Sequence, residues 1–262
     1  MYISSSSFSY RLLSGLLFCL LIACRNEADS NNQYVNKWIG TGLEGRVAPV
    51  ASVPFGMMQI GADTRPYGAG YHYDDPSILG FSHLHKSGGG CADFLDILFM
   101  PLPLNSGMTD EELYSKQYQA VLSHKDEKAE PGYYSVGLYD KQLTVELTAS
   151  RRCGLQRYTY ASEGEIPVIV DLKYGSESAC TIQSEHDVDT VYASAFEWVD
   201  PYTVRGYRCS NGWTPGQQVY FYSTFSSPIK ECVLYVDDRR MEGMTSAEGT
   251  NIKALLTFES NT

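Results

Sequence analysis

Period-two alternation of apolar and polar residues constrains this chain more than any other feature. Leu143, Val145 and Leu147 alternate with Thr144, Glu146 and Thr148, and Ile166, Val168, Val170 and Leu172 repeat the device. Side chains two apart share one face of an extended strand, so each run predicts a strand with one face buried. Ile252, Ala254, Leu256 and Phe258 alternate with Lys253, Thr257 and Glu259, which turns the lysine outward. Val219 to Phe225 is apolar at both parities and predicts a strand covered on both sides, and Cys232 to Val236 behaves similarly. Turn pairs punctuate the runs: Pro131-Gly132, Glu163-Gly164, Asn211-Gly212, Pro215-Gly216 and Asp237-Asp238. Many strands, short turns and almost no helical periodicity predict an all-β, antiparallel sandwich. One short helix is expected where Thr109 and Glu112 have the spacing of a capping box.

The N-terminus sets the expected compartment. Arg11 is the only charge before Arg25, and Leu12 to Ala23 is apolar but too short to span a bilayer stably, so residues 1–23 read as a secretion signal. Leu21-Ile22-Ala23-Cys24 looks like a bacterial lipobox, in which Cys24 becomes the lipidated first residue. Residues 24–33 are polar and read as a solvated tether. The expectation is a bacterial lipoprotein, periplasmic or at the outer membrane, held to the membrane by its lipid. A net charge of −11 disfavours phosphate backbones, so no nucleic-acid partner is expected. Apart from Cys19 and Cys24, the cysteines are Cys91, Cys153, Cys180, Cys209 and Cys232, an odd number with no CxxC pair. That argues against a zinc site and allows two disulfides at most, buried thiols being the plainer reading.

Between Gly40 and Gly107 the chain changes character, being dense in Gly, Pro and His and poor in alternation. Ordering such loops costs conformational entropy, and function concentrates on loops held by a rigid scaffold. Pro49 to Met57, apolar with two prolines, reads as a rigid extended segment laid against the sandwich. In Gly70-Tyr71-His72-Tyr73-Asp74-Asp75 the adjacent acids point to opposite faces if extended, so they do not form the opposed carboxyl pair of a glycosidase. Asp74 suits a turn cap or a hydroxyl contact equally, and Asp75 suits a cap. His83 and His85 share a strand face and need a third ligand, such as Asp93, to hold a metal. Gly88 to Gly90 lacks the P-loop Lys-Ser/Thr and suits close backbone approach to a sugar or a neighbouring domain. Trp213 suits a sandwich edge, with sugar stacking the alternative. No G-x-S-x-G elbow is present, and no cysteine has a local activating pattern.

These motifs resemble a known family. Tyr34-Val35-Asn36-Lys37-Trp38-Ile39-Gly40-Thr41, Val53-Pro54-Phe55-Gly56-Met57, Gly70-Tyr71-His72-Tyr73, Gly80-Phe81-Ser82-His83-Leu84-His85 and Gly90-Cys91-Ala92-Asp93 are similar to the N-terminal domain of glycoside hydrolase family 92. The likeness continues through Pro131 to Val136, Glu146 to Arg152 and Gly206 to Trp213.

The resemblance implies a galactose-mutarotase-like β-sandwich over residues 34–262, with one or two short helices. It also implies a calcium-dependent, inverting exo-α-mannosidase acting on glycans, whose acid, base and calcium ligands come from a C-terminal α/α barrel. No cofactor is then expected within this chain, which ends near where the barrel would begin and should be inactive alone. Tyr71, His72, Asp74, His83, His85, Cys91 and Asp93 are the expected sugar or domain-interface contacts, with no catalytic residue and no metal ligand among them. The alternatives are a glycan-binding surface lipoprotein without catalysis and a partner module for a separately encoded barrel.

Overall fold

The computed structural model describes residues 31–89, 91, 93–106, 108–114, 118–176 and 188–259. The signal segment, Cys24 and Cys180 lie outside these residues. The chain divides into two compact units, Met1–Asn36 and Lys37–Thr262. In the first, Asn31–Tyr34 forms a 3-10 turn.

The second unit runs through β1 (Gly61–Asp63), β2 (Ser77–Ile78), β3 (Gly80–Ser82) and β4 (Leu98–Pro101), then a one-turn helix α1 (Asp110–Tyr114). Next come β5 (Ala120–Val121), β6 (Lys128–Glu130), β7 (Tyr133–Leu138), β8 (Leu143–Ala149), β9 (Gly154–Tyr160) and β10 (Glu165–Asp171). The last group is β11 (Thr190–Asp200), β12 (Thr203–Asn211), β13 (Gln217–Thr224), β14 (Ile229–Val236), β15 (Arg239–Met241), β16 (Ser246–Gly249) and β17 (Ile252–Glu259).

These strands make a seven-stranded sheet ordered β1-β3-β4-β10-β17-β14-β15, two four-stranded sheets (β6-β7-β8-β9 and β13-β12-β11-β16) and the small pair β2-β5. The seven-stranded sheet is covered on both faces. Leu98, Met100 and Ile169 pack with Tyr134, Val136, Val145 and Leu147 of β7 and β8. Their neighbours of opposite parity, Phe99, Val168 and Val170, pack with Phe196, Val204 and Phe221 of the other sheet. Period two explains this stacking, because successive residues of one strand feed opposite cores.

The expected alternation holds in β8, whose burial follows Leu143, Val145 and Leu147. Asp237 and Asp238 take φ of 48° and 61°, the left-handed pair that closes a tight hairpin between β14 and β15. At α1 the capping box forms: Thr109 N donates to Glu112 at 2.9 Å, and Glu112 N donates to the Thr109 hydroxyl at 3.3 Å. The helix is shorter than two turns.

Three expectations need correction. β10, expected to bury one face, is buried at both parities from Pro167 to Asp171, because it lies inside the seven-stranded sheet with a core on each side. β13 is an edge strand covered on one side, with Val219 and Phe221 inward and Tyr220 and Tyr222 exposed, because a tyrosine tolerates solvent at its hydroxyl end. Lys253 is buried, not outward. Its ammonium lies 3.3 Å from the buried Asp171 and donates to Asn251, so a charged partner pulls it into the central sheet.

Candidate functional site

The glycine-rich region folds into loops joined by backbone and side-chain hydrogen bonds. Tyr73 N donates to Thr41 O at 2.9 Å, Gly88 N donates to Arg46 O at 2.7 Å, and His72 Nε2 lies 3.2 Å from Leu43 O. Residues 41–46, 72–74 and Gly88 are therefore tied together. Gly70, at φ +85°, makes the turn into this group; a Cβ there would lie 2.5 Å from Leu95 and 2.7 Å from Asp63 Oδ1.

Beneath these loops lies a buried carboxylate. Glu127 follows the 3-10 turn His124–Asp126 and accepts from Tyr134 at 2.6 Å, from Tyr71 at 2.9 and 3.1 Å, and from His124 Nδ1 at 2.5 Å. His124 Nε2 lies 2.6 Å from Tyr73 O, and its ring stacks on Tyr73 at 3.9 Å. Burial, then the charge of Glu127, raises the Tyr71 and Tyr134 phenols far above the ordinary range, so both remain donors. The loop carrying His72 and Asp74 is thus clamped to the sandwich on both sides of those residues.

A second clamp holds Asp75. Its carboxylate accepts from Thr64 Oγ1 and Arg65 Nε, both at 2.7 Å, and pairs with Arg65 Nη2. Burial pushes Asp75 up, but these hydrogen bonds prevail and hold it below the usual carboxylate range. Asp74 remains exposed on the tip. The expected turn cap at Asp75 is replaced by this ion pair, since Arg65 offers a bidentate fork a backbone N–H cannot match.

His83 and His85 fall beyond β3 and do not share a face toward one metal. His83 Nδ1 lies 2.7 Å from Ile97 O and Nε2 lies 3.1 Å from Gln156; burial pushes its pKa down. His85 Nδ1 lies 2.9 Å from Gln59 O, and Nε2 faces Asp63 at 3.3 Å and the Ser82 hydroxyl at 3.4 Å. Burial pushes His85 down, but Asp63 outweighs it and raises the pKa. Ser82, His85 and Asp63 are the residue types of an acyl-transfer triad, yet serine and aspartate approach the same nitrogen and all three are buried. A relay needs them on opposite nitrogens, so the cluster is structural.

The loop leaves through Phe94, Leu95 and Ile97, all at left-handed φ (70°, 63° and 57°). For a β-branched residue such as Ile97 this is an outlier, kept here by burial of Leu95 and Ile97. Asp93 accepts from Thr214 N at 3.1 Å and Thr214 Oγ1 at 3.0 Å, so the neighbouring Trp213 stands beside the loop. Trp213 is 64% exposed, which corrects the expectation of a packed sandwich edge. Cys91, Cys153, Cys209 and Cys232 are free thiols among the described residues, but of these Cys209 alone is buried and Cys153 is exposed on its turn, which corrects the expectation of buried thiols.

Deeper still, Arg208 donates to Asp96 at 2.5 Å, Asp189 at 2.6 Å, Ser210 at 2.8 Å and Leu172 O at 3.2 Å, all sealed from solvent. One guanidinium shared by two carboxylates leaves them under-neutralised. Burial pushes Asp96 up to about 6, with Arg208 opposing. A Cβ at Gly175 would lie 2.1 Å from Arg208 Nη2, so the guanidinium packs directly on backbone. These carboxylates converge, but no water reaches them.

Of the residues expected from sequence, Asp74 is exposed at the loop tip, His72 and Cys91 are half-buried beside it, Asp93 is buried and committed to Thr214, and His83 faces inward to Ile97 O and Gln156. Tyr71 and His85 are enclosed and support the loops from below. Sequence reasoning missed Glu127, Arg208, Asp63 and Arg65. Arg208 was readable, since it shares the parity of the buried Val204 on β12. Val53-Pro54-Phe55-Gly56 is a tight turn, with Gly56 N donating to Val53 O at 2.9 Å, not an extended segment. Phe55 takes φ 58° with its ring fully in solvent.

Comparison with known proteins places this geometry. A family model of the glycosyl hydrolase family 92 N-terminal domain matches residues 34–262. An uncharacterized secreted glycosidase of the fungus Arthroderma benhamiae is 30% identical over 174 residues, which is 62% of this chain and 22% of the relative. A family GH92 alpha-mannosidase from Bacteroides thetaiotaomicron, solved with mannoimidazole, superposes with a TM-score of 0.75 at 30% identity, covering 88% of this chain and 31% of that one. A family GH92 inverting mannosidase from the same species gives a TM-score of 0.71 at 23% identity, covering 90% and 30%. The chain spans less than a third of the length of these relatives.

Proposed function

Because the chain belongs to the glycosyl hydrolase family 92 N-terminal domain family, we propose that it forms the loop wall of an exo-α-mannosidase active site on glycans, with the acid and base supplied by another domain. The observation that carries this reading is the clamped loop surface. Asp74 and Trp213 are presented to solvent, while Tyr71, His72, Asp75, His85 and Asp93 are tied down around them. Preorganised hydroxyl-binding groups of this kind hold a sugar in place without moving a proton.

An inverting mechanism needs two carboxyls facing each other across a wet cleft. Asp96 and Asp189 share Arg208 out of reach of solvent, and Glu127 is saturated by its donors, so none of these acids suits either role. Calcium, the ion the family resemblance implies, is on this reading held by the other domain. Among the described residues no three His, Cys, Asp or Glu side chains converge on a metal position.

The partner-module reading draws on a further observation. Phe55 is 102% exposed, Leu43 87% and Ile39 71%, all near the glycine-rich segment, and apolar surface of that kind suits burial against another domain. The secretion signal and lipidated Cys24 remain part of the proposal, and the secreted fungal relative supports export.

The test is direct. The purified chain should release no mannose from an aryl α-mannoside, and detectable release would overturn the division of labour. His72→Ala and Asp74→Ala should abolish mannose-induced shifts in a nuclear magnetic resonance titration of the wild-type chain. Unchanged shifts in both variants would overturn the assignment of the loops.

A further inference from the structure

Away from the loops, the outward face of the sheet β13-β12-β11-β16 carries an organised aromatic surface. Cross-strand register sets it in two rows. Tyr220 lies opposite Tyr207, Tyr207 opposite Ala195, and Ala195 opposite Glu248; beside them run Tyr222, Arg205, Glu197 and Ser246. Directly paired residues share a face, so three tyrosines meet at one corner of the sheet. Tyr220 and Tyr222 are 68% and 66% exposed, and the rings of Tyr207 and Tyr220 are 5.7 Å apart. Ala195, the smallest residue of its row, lowers the floor between Tyr207 and Glu248.

One cation, Arg205, faces two carboxylates here, Glu197 beside it and Glu248 at the end of the row. Arg205 Nε donates to Glu197 at 2.7 Å, and both side chains remain open to solvent. Tyr220 donates to Gln218 at 3.2 Å, leaving a polar edge. Strand propensity alone accounts for tyrosine in a strand, but not for its gathering at adjoining outward positions when Gln218 and Thr224 on the same face of β13 are polar.

An aromatic ring stacks on the C–H face of a pyranose, and a paired guanidinium and carboxylate at the rim bind its vicinal hydroxyls. With its one cation already paired to Glu197, this surface offers nothing to an anion and fits a neutral ligand. A polyanion is opposed by the net charge of −11.

We infer that the outward sheet face centred on Tyr207, Tyr220 and Tyr222 is a second carbohydrate-binding surface, for neutral mannose-rich glycan, distinct from the loop surface. The choice of mannose rests on the function proposed above. Such a surface would keep a branched glycan near the loops between successive events there.

Native electrophoresis of the full chain through gels containing soluble α-mannan tests this. The wild-type chain should be retarded, and Tyr220→Ala/Tyr222→Ala should bind about tenfold more weakly. His72→Ala/Asp74→Ala, which alters the loops, should remain retarded, and so should Tyr139→Ala, an exposed tyrosine elsewhere. Near-ultraviolet circular dichroism checks that each variant keeps its packing. Retardation that survives in the tyrosine double variant and vanishes in the loop variant overturns the second surface while leaving the loop reading intact. A wild-type chain that is not retarded also overturns it, whereas the mannosidase reading, which depends on a second domain, stands or falls by the assays given above.

Discussion

Tyr71 donates its phenol hydrogen to both carboxylate oxygens of Glu127, at 2.9 and 3.1 Å, across 56 residues of sequence. This contact joins the glycine-rich segment to the β-rich part of the chain. Tyr134 and His124 complete the set of donors around the same carboxylate. The tip bearing His72 and Asp74 therefore inherits its position from a residue that no loop motif contains.

Glu127→Ala should destabilise the chain by about 2–4 kcal/mol, because it leaves two buried phenols without an acceptor. Tyr71→Phe should cost about 1–2 kcal/mol, since the carboxylate keeps its other donors. Urea unfolding at neutral pH measures both. A Glu127→Ala cost no larger than that of Tyr71→Phe would remove the carboxylate from its central role.

Arg208→Met should destabilise by about 3–5 kcal/mol, because Asp96 and Asp189 lose their shared cation in a sealed site. The same site imposes a pH dependence. Asp96 is raised in the folded chain from 3.8 to about 6. Between those values the unfolded chain has released the proton and the folded chain retains it, so stability falls as pH rises through that window. Compared with Asp96→Asn, the wild type should lose on the order of 2 kcal/mol more between about pH 4 and pH 7. Parallel stability curves for the two would show that Asp96 does not titrate this way.

Gly70→Ala combines a left-handed φ of +85° with a Cβ only 2.5 Å from Leu95 and 2.7 Å from Asp63. A loss of about 2–4 kcal/mol is expected, together with displaced resonances of Tyr71 and His85. A variant with wild-type stability and an unshifted spectrum would show that the loop relaxes freely.

Phe55→Asn should stabilise the isolated chain by about 0.5–1 kcal/mol. Asparagine tolerates the left-handed conformation that phenylalanine adopts here at φ 58°, and the exposed ring has no packing to lose. Thermal unfolding decides the sign. A destabilised variant would mean that the ring makes contacts within this chain.

Period two in β8, the Asp237-Asp238 hairpin and the Thr109–Glu112 capping box were legible because each depends on residues a few positions apart. The same local logic misplaced Lys253, and it could not tell that β13 is an edge. Which face of a strand is covered, and whether a buried partner awaits a lysine, depend on distant segments.

By itself the sequence determined the all-β class, most strand parities and the region where polar, glycine-rich loops gather, since these follow from side-chain period and backbone freedom. The tertiary structure alone decided what holds those loops. Glu127, Arg208 and Asp63 become organising groups only when folding removes them from water, and burial makes each require partners from far along the chain. No spacing rule encodes such a partnership, because its free energy arises from desolvation, which exists only once the sheets have closed over the charge.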